Sequence, residues 1–329
     1  VKVFVDLAGT GVGAQKQYSL IRKHRPHLFT NSEINATHVF YWQSFTRHWD
    51  VLKRRKQAGK KIVVRVGGFH RENADTTREM LRQADGAVFV CEWLKEWLKE
   101  KTWTAPDGIV RPWRLPPKRT AIHNGSEWIG PRDSDVDYLL IRCAGLGPIG
   151  FRYGLNRSYS IWALSQIWDE LKERYPALNL WILGRHAQEL KYSNLLPGWK
   201  WLGFRKDVRW FGQGALALVH LVPDFSPNTI AEMVGSGGAI IVPGIIGGSR
   251  ELAGIAGVKV GFDQTDKREW PETECGGHFY RIRLDELFNA VVDVIENREE
   301  WRVKAREQWE KAVNIDRVCD KYEKFLDSV

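Results

Sequence analysis

One pattern restricts the fold of this chain more than any other. Short apolar, β-branched runs closed by glycine or polar turns alternate with amphipathic stretches of helical period. Val3-Phe4-Val5, Ile62-Val63-Val64 and Ala87-Val88-Phe89-Val90 are too short for helices and show no polar alternate face. They read as strands buried on both sides. Helices are expected between them, at about 14–23, at about 46–57 and across EWLKEWLKEKT. The pattern restarts near Tyr138 with DYLLIRCAG and one long helix over SYSIWALSQIWDELKERYP. The strands NLWILG, WKWLGF and ALALVHLVP follow, then a helix from about Asn228, GGAIIVP, VKVGF and a helical tail. Such alternation layers helices on parallel sheets. The 329 residues hold this plan twice, which predicts an N-terminal lobe over 1–134 and a C-terminal lobe with its helical tail over 135–329.

Charge separates the two halves. Residues 1–134 carry 24 Lys/Arg against 13 Asp/Glu, a net of +11, and the remainder stands at −2. The densest clusters are Arg22-Lys23-His24-Arg25 and Lys53-Arg54-Arg55-Lys56. A cationic lobe points to an anionic partner: membrane headgroups, a lipid-linked phosphate or nucleic acid. Any single cluster fits a solvated helix face equally well. No apolar run approaches the ~20 residues of a membrane span, and Val1–Val5 begins as a strand rather than as a secretory signal. Cys91, Cys143, Cys275 and Cys319 lack metal-ligand spacing, so no metal site is expected. A reducing, cytoplasmic setting follows, with peripheral attachment to a membrane left open.

Two glycine clusters match a dinucleotide fingerprint by letter. Gly9-Thr10-Gly11-Val12-Gly13-Ala14 follows the first strand, with Glu33 near the place of a ribose-binding acid. Glu33 stands in a Pro/His/Asn-rich loop, however, and Pro148 interrupts Gly145-Leu146-Gly147-Pro148-Ile149-Gly150. Both read better as tight turns, with Gly11 and Gly13 permitting close approach of an acceptor. Among sixteen tryptophans, Trp93 and Trp97 share a helix face expected to pack in the core. Trp103, Trp113 and Trp128 suit either burial or a stacking platform.

The most informative stretch is 199–251. Asp224 stands at the carboxyl end of a strand, and a helix then begins near Asn228 and Thr229. The first amides of a helix, at the positive end of its dipole, form an anion seat. Glu232, about a turn further, offers the two oxygens that a ribose diol requires. Taken singly, Asp224 also suits a helix N-cap and Glu232 a solvated helix charge.

Asp224-x7-Glu232, Gly235-Ser236-Gly237, Ala239–Pro243 and Gly247-Gly248-Ser249-Arg250-Glu251, in that order, resemble the C-terminal lobe of family 4 retaining glycosyltransferases of the GT-B fold. Ala84–Lys95, Ile122–Glu127, Leu183-Gly184-Arg185 and Leu202-Gly203 resemble further segments of that family, and the likeness spans most of 60–329. It implies an α/β fold of two Rossmann-like lobes facing an interdomain cleft. It also implies a nucleotide-sugar co-substrate, UDP- or GDP-linked, with no other cofactor. Transfer would retain configuration and need no essential metal. Glu232 would hold the ribose, and the amides of Asn228 and Thr229 the diphosphate. Gly184 and Arg185 would line the donor. Asp224, where the family usually has glutamate, would meet the sugar. Arg152 and Arg157 stand for the family's Arg and Lys after the first C-lobe strand, which stabilise the leaving diphosphate. In the N-terminal lobe His70 stands nearest the family's histidine, while Arg65, Gly68, Gly11 and Gly13 fall on the acceptor side. The sequence therefore reads as a glycosyltransferase. A DNA-modifying glycosyltransferase acting on a modified base and a catalytically inactive GT-B binding protein are the alternatives.

Overall fold

The computed structural model of the chain describes residues 1–8, 10, 12–42, 49–68, 74–104, 108–143, 159–184, 196–206, 208–222, 224–225, 227–264 and 280–329. Contacts divide the chain into two units, one of Val1–Gly125 with Ile315–Val329 and one of Ser126–Asn314. The division falls ahead of the expected 134/135 boundary, and the last helix belongs to the first unit instead of the C-terminal tail. Its apolar face is the physical reason. Val318, Cys319, Tyr322, Phe325 and Leu326 are buried in one core with Val3, Phe40, Trp42, Val63 and Val88. Burial of each large side chain is worth about 1.5–3 kcal/mol. Arg25 adds ion pairs to Asp316 and Asp320 of the same helix.

The first unit runs β1 (Val3–Asp6), α1 (Val12–His24), β2 (His38–Tyr41), α2 (Trp49–Gln57), β3 (Lys61–Val66), α3 (Ala74–Gln83), β4 (Gly86–Phe89) and α4 (Glu92–Glu100). A short antiparallel pair, β5 (Thr102–Thr104) and β6 (Val110–Pro112), precedes β7 (Lys118–Ala121). The parallel sheet has the order β1-β2-β3-β4-β7, which proceeds in one direction without reversal. On α4 it is Leu94 and Leu98 that are buried. Trp93 and Trp97 stack on each other at 5.9 Å as a half-buried stripe beside them, a correction to their expected core position.

The second unit runs β8 (Tyr138–Cys143), α5 (Tyr159–Ser165), α6 (Trp168–Arg174), β9 (Asn179–Gly184), β10 (Trp199–Gly203), α7 (Val208–Gly214), β11 (Ala217–Val219), α8 (Asn228–Gly235) and β12 (Ala239–Pro243). It continues with α9 (Gly248–Ala253), β13 (Gly257–Val260), the antiparallel pair β14 (Phe262–Gln264) and β15 (Tyr280–Ile282), α10 (Leu284–Glu296) and α11 (Arg298–Gln308). The single helix expected over 158–176 is broken into α5 and α6 at Gln166–Ile167, where Ile167 leaves helical geometry and is buried with Trp168. The six-stranded parallel sheet has the order β10-β9-β8-β11-β12-β13. The chain thus starts in the middle, builds outward to β10, and returns to the other side of β8 at β11.

Part of the basic character of the first unit is consumed internally. Arg55, nominally in a surface cluster, is buried. It makes a two-pronged bond to Glu33 (2.9 and 2.8 Å), an ion pair to Asp6 (2.7 Å) and a bond to the Tyr41 hydroxyl (2.8 Å). Burial works against its charge, but the bonds to Glu33, Asp6 and Tyr41 raise its pKa above the ordinary arginine value. Glu33 is therefore a partner of Arg55, not a ribose ligand. The hydrogen bond from Arg55 holds the Glu33 carboxyl below the usual range, so its stabilising contribution is complete above its unfolded pKa of about 4.3. That contribution is lost as pH falls through the lowered folded value. Glu33→Gln should flatten the acid limb of the stability curve in this window. Arg55→Met, which leaves Asp6 and Glu33 without their cation, should cost about 2–4 kcal/mol, read as a lower urea midpoint at unchanged slope.

Candidate functional site

In an open parallel sheet, the crevice at the carboxyl ends of the strands beside a reversal of strand order is where ligands bind. The second unit has that reversal between β8 and β11. Arg142 lies near the carboxyl end of β8, and β11 leads through Asp224 into α8. The Arg142 Nη1 donates to Thr229 Oγ1 at 2.8 Å and lies 3.4 Å from Glu232 Oε2. Glu232 is 4% exposed. A carboxylate so deeply placed is tolerated only with a cation or strong donors beside it, and it is no solvated helix charge. Arg142 is itself 28% exposed at the side chain, so the pair is not fully enclosed by the fold.

Asp224 does not cap α8: Pro227 occupies the N-cap position. Its backbone is instead gripped by the next turn. The Asp224 N–H donates to Ser249 Oγ (3.0 Å), and its carbonyl accepts from the Ser249 N–H (2.9 Å) and hydroxyl (3.3 Å). A Cβ on Gly248 would lie 1.5 Å from the Phe225 carbonyl oxygen, so only glycine permits this approach. Gly235 and Gly237 serve packing of the same kind. A Cβ on Gly235 would meet Ser126 Oγ at 2.2 Å, and Gly237, at φ +83°, sits 2.6 Å by the same measure from Pro131 Cδ. These glycines seat α8 against 126–131 and brace Asp224 beside it.

The structure thus brings Asp224, Asn228, Thr229 and Glu232 to one strand-end region. Gly184 ends β9 and is paired in register with Cys143 of β8. Arg152, Arg157 and Arg185 lie outside the described residues, as do His70 and Gly11. In the first unit the acceptor-side residues are less gathered. Arg65 and Gly68 share the end of β3, while Gly13 is exposed in the first turn of α1 after β1, with β2 between the two strands. β1 is an edge strand, so its glycine turn stands at no reversal of strand order. Arg65 is 4% exposed. Its Nη2 donates to Asn124 Oδ1 at 2.8 Å, and its guanidinium lies 5.3 Å from the Trp42 ring centroid. His38 is a core residue of β2, its pKa lowered by burial. Trp113 is buried, and Trp128 packs on Trp309 under Arg306.

Sequence reasoning passed over Arg142. The signal was present: one cation inside DYLLIRCAG, a strand otherwise apolar on both faces, needs a buried partner.

No family model matches the chain, and no curated protein matches it. Solved structures do. HepE of Anabaena in complex with UDP-glucose is 13% identical with a TM-score of 0.64, over 100% of this chain and 99% of that one. A glycosyltransferase from Rickettsia africae is 14% identical with a TM-score of 0.64, again over 100% and 99%. The pneumococcal O-GlcNAc transferase GtfA in complex with UDP and GlcNAc is 16% identical with a TM-score of 0.63, over 95% of this chain and 60% of that one. At these identities the likeness is one of fold. The chain has the α/β fold of GT-B glycosyltransferases.

The contact at Gly248 is directly testable. Gly248→Ala forces the α9 turn away from Phe225 and should destabilise the protein by about 1–3 kcal/mol as an overpacked site, measured by urea unfolding.

Proposed function

We propose that the chain is a glycosyltransferase that binds a nucleotide-sugar donor in its second unit. One observation carries the reading: a buried glutamate and an arginine meet beside the first residues of α8, at the reversal of strand order. In this reading Glu232 accepts hydrogen bonds from the ribose hydroxyls, with Arg142 holding it in place. The amides of Asn228 and Thr229 take the diphosphate, and Asp224 faces the sugar. Gly184 and Arg185 line the donor. Arg152 and Arg157 stabilise the charge that develops as the bond between the sugar and the diphosphate breaks. The UDP-glucose bound to HepE and the UDP bound to GtfA favour a UDP-sugar. Transfer of a hexose with retention and without an essential metal rests on the motif resemblance alone, as does a role for His70 at the acceptor. The membership in glycosyltransferase family 4 is proposed on the same ground.

The acceptor belongs to the first unit in this reading, with Gly11, Gly13, Arg65 and Gly68 beside it. That unit holds 26 Lys/Arg and 15 Asp/Glu, a net of +11, which favours an anionic acceptor or surface. Among the described residues no helix is long and apolar enough to cross a membrane. On the cysteine pattern of the sequence we further propose a cytoplasmic protein that reaches such a surface peripherally.

A thermal-shift panel of nucleoside diphosphates, UDP- and GDP-sugars and NAD(P) tests the donor. The correct ligand at one hundred times its Kd stabilises the fold by about 2.7 kcal/mol, and Glu232→Gln should remove most of that response. A response to NAD(P) alone, or to nothing, overturns the proposal. Donor hydrolysis measured with and without EDTA tests the metal independence, and activity that disappears on chelation refutes it.

A further inference from the structure

The second unit holds a groove that shares no residue with the Arg142–Thr229–Glu232 cluster or with Asp224. Its volume is about 780 Å³, and it is lined from α9, β13, α11 and the turn after α11. Arg250, Lys259, Lys304 and Lys311 line it, with Glu251 the single carboxylate among the described lining residues. The unit as a whole carries a net charge of −2, so this is a local concentration of cations against the average.

The pairing pattern sharpens the contrast. Along α11 the neighbouring cations are neutralised: Arg298 by Asp137, Arg302 by Asp133 and Glu299, Arg306 by Glu310. Lys304 pairs with Glu300. Lys259 and Lys311 are exposed and make no ion pair among the described residues. The guanidinium of Arg250 is held by a bond from its Nη1 to the Gly244 carbonyl at 2.8 Å. Like charges gathered in one concavity repel and draw in an anion. The wall between α9 and α11 is firm: Gln308 donates to the Leu252 carbonyl (3.1 Å) and accepts from the Ile255 N–H (3.3 Å). Ile246 and Ile255, 59% and 43% exposed, add apolar surface for the body of a ligand. The volume lies within the roughly 300–1,000 Å³ of small-molecule sites.

We propose that this groove is a second ligand site, which binds a phosphate ester through Lys259, Lys311 and Arg250. Gly247 lines the groove and directly precedes the Gly248–Ser249 turn that grips Asp224 and Phe225.

The full chain would be titrated calorimetrically with inorganic pyrophosphate, and floated with phosphatidic acid–phosphatidylcholine vesicles against pure phosphatidylcholine. Wild type, Lys259→Gln/Lys311→Gln and Glu232→Gln are compared. Both lysines are exposed and make no ion pair among the described residues, so their neutralisation removes none of the ion pairs described. At least a tenfold loss of pyrophosphate affinity in the double variant, with Glu232→Gln unaffected, supports a soluble phosphate ester. Flotation with phosphatidic acid that the double variant loses supports a lipid headgroup as the source. Binding equal in wild type and double variant, loss in Glu232→Gln alone, or no binding of either probe by wild type overturns the proposal. The nucleotide-sugar response of the double variant stays intact if the donor reading is correct, so the two proposals fail independently.

Discussion

The second unit is organised around a deeply buried carboxylate. An unpaired buried charge costs several kcal/mol or more, so Glu232 at 4% exposure requires its neighbour Arg142. That requirement ties α8 to the end of β8, across the reversal of the sheet. Thr229 shares the same guanidinium and fixes the first turn of α8. The glycines that end α8 and begin α9 then let the surrounding backbone close in, at Ser126, Pro131 and Phe225. Without Arg142 the Glu232 carboxylate would lose the cation described beside it, and α8 its side-chain tie to β8.

The first unit obeys the same rule with a different outcome. Arg55 and Arg65 are both buried, and both lie in segments whose charge reads from sequence as surface or ligand-facing. Arg55 is taken up by Glu33, Asp6 and Tyr41, and Arg65 by Asn124 and the face of Trp42. Arg25 is likewise held by the C-terminal helix. A net charge of +11 is therefore not a count of cations available to a partner. What remains for a partner is the outward set, such as Lys53 and Arg54.

Much of the fold was legible because hydrophobic periodicity is a local signal. Most strands of the two parallel sheets read as short apolar runs, and the sequence places the start of α8 at about Asn228, where it is observed. The strand β7 does not read so, since Lys118-Arg119-Thr120-Ala121 is polar and only partly buried. The order Asp224, Glu232, Gly235, Gly248 also carried the GT-B resemblance, since those residues lie close together in the chain. Less was legible wherever two distant segments meet. Arg142 is 90 residues from Glu232, and nothing local to either names the other. The break between α5 and α6 escaped because no Gly or Pro marks it.

The sequence by itself determined the α/β class, the doubled plan, and the segment that supplies the candidate donor site. Those depend on side-chain period, on glycine where backbone must approach backbone, and on the dipole of a helix start. Only the tertiary structure decided that the last helix belongs to the first unit, that Glu33 and Arg55 pair with each other, and that Arg142 pairs with Glu232. Each of these is a pairing across long chain separation. Burial selects such a pairing, because charge and apolar surface must find partners in space.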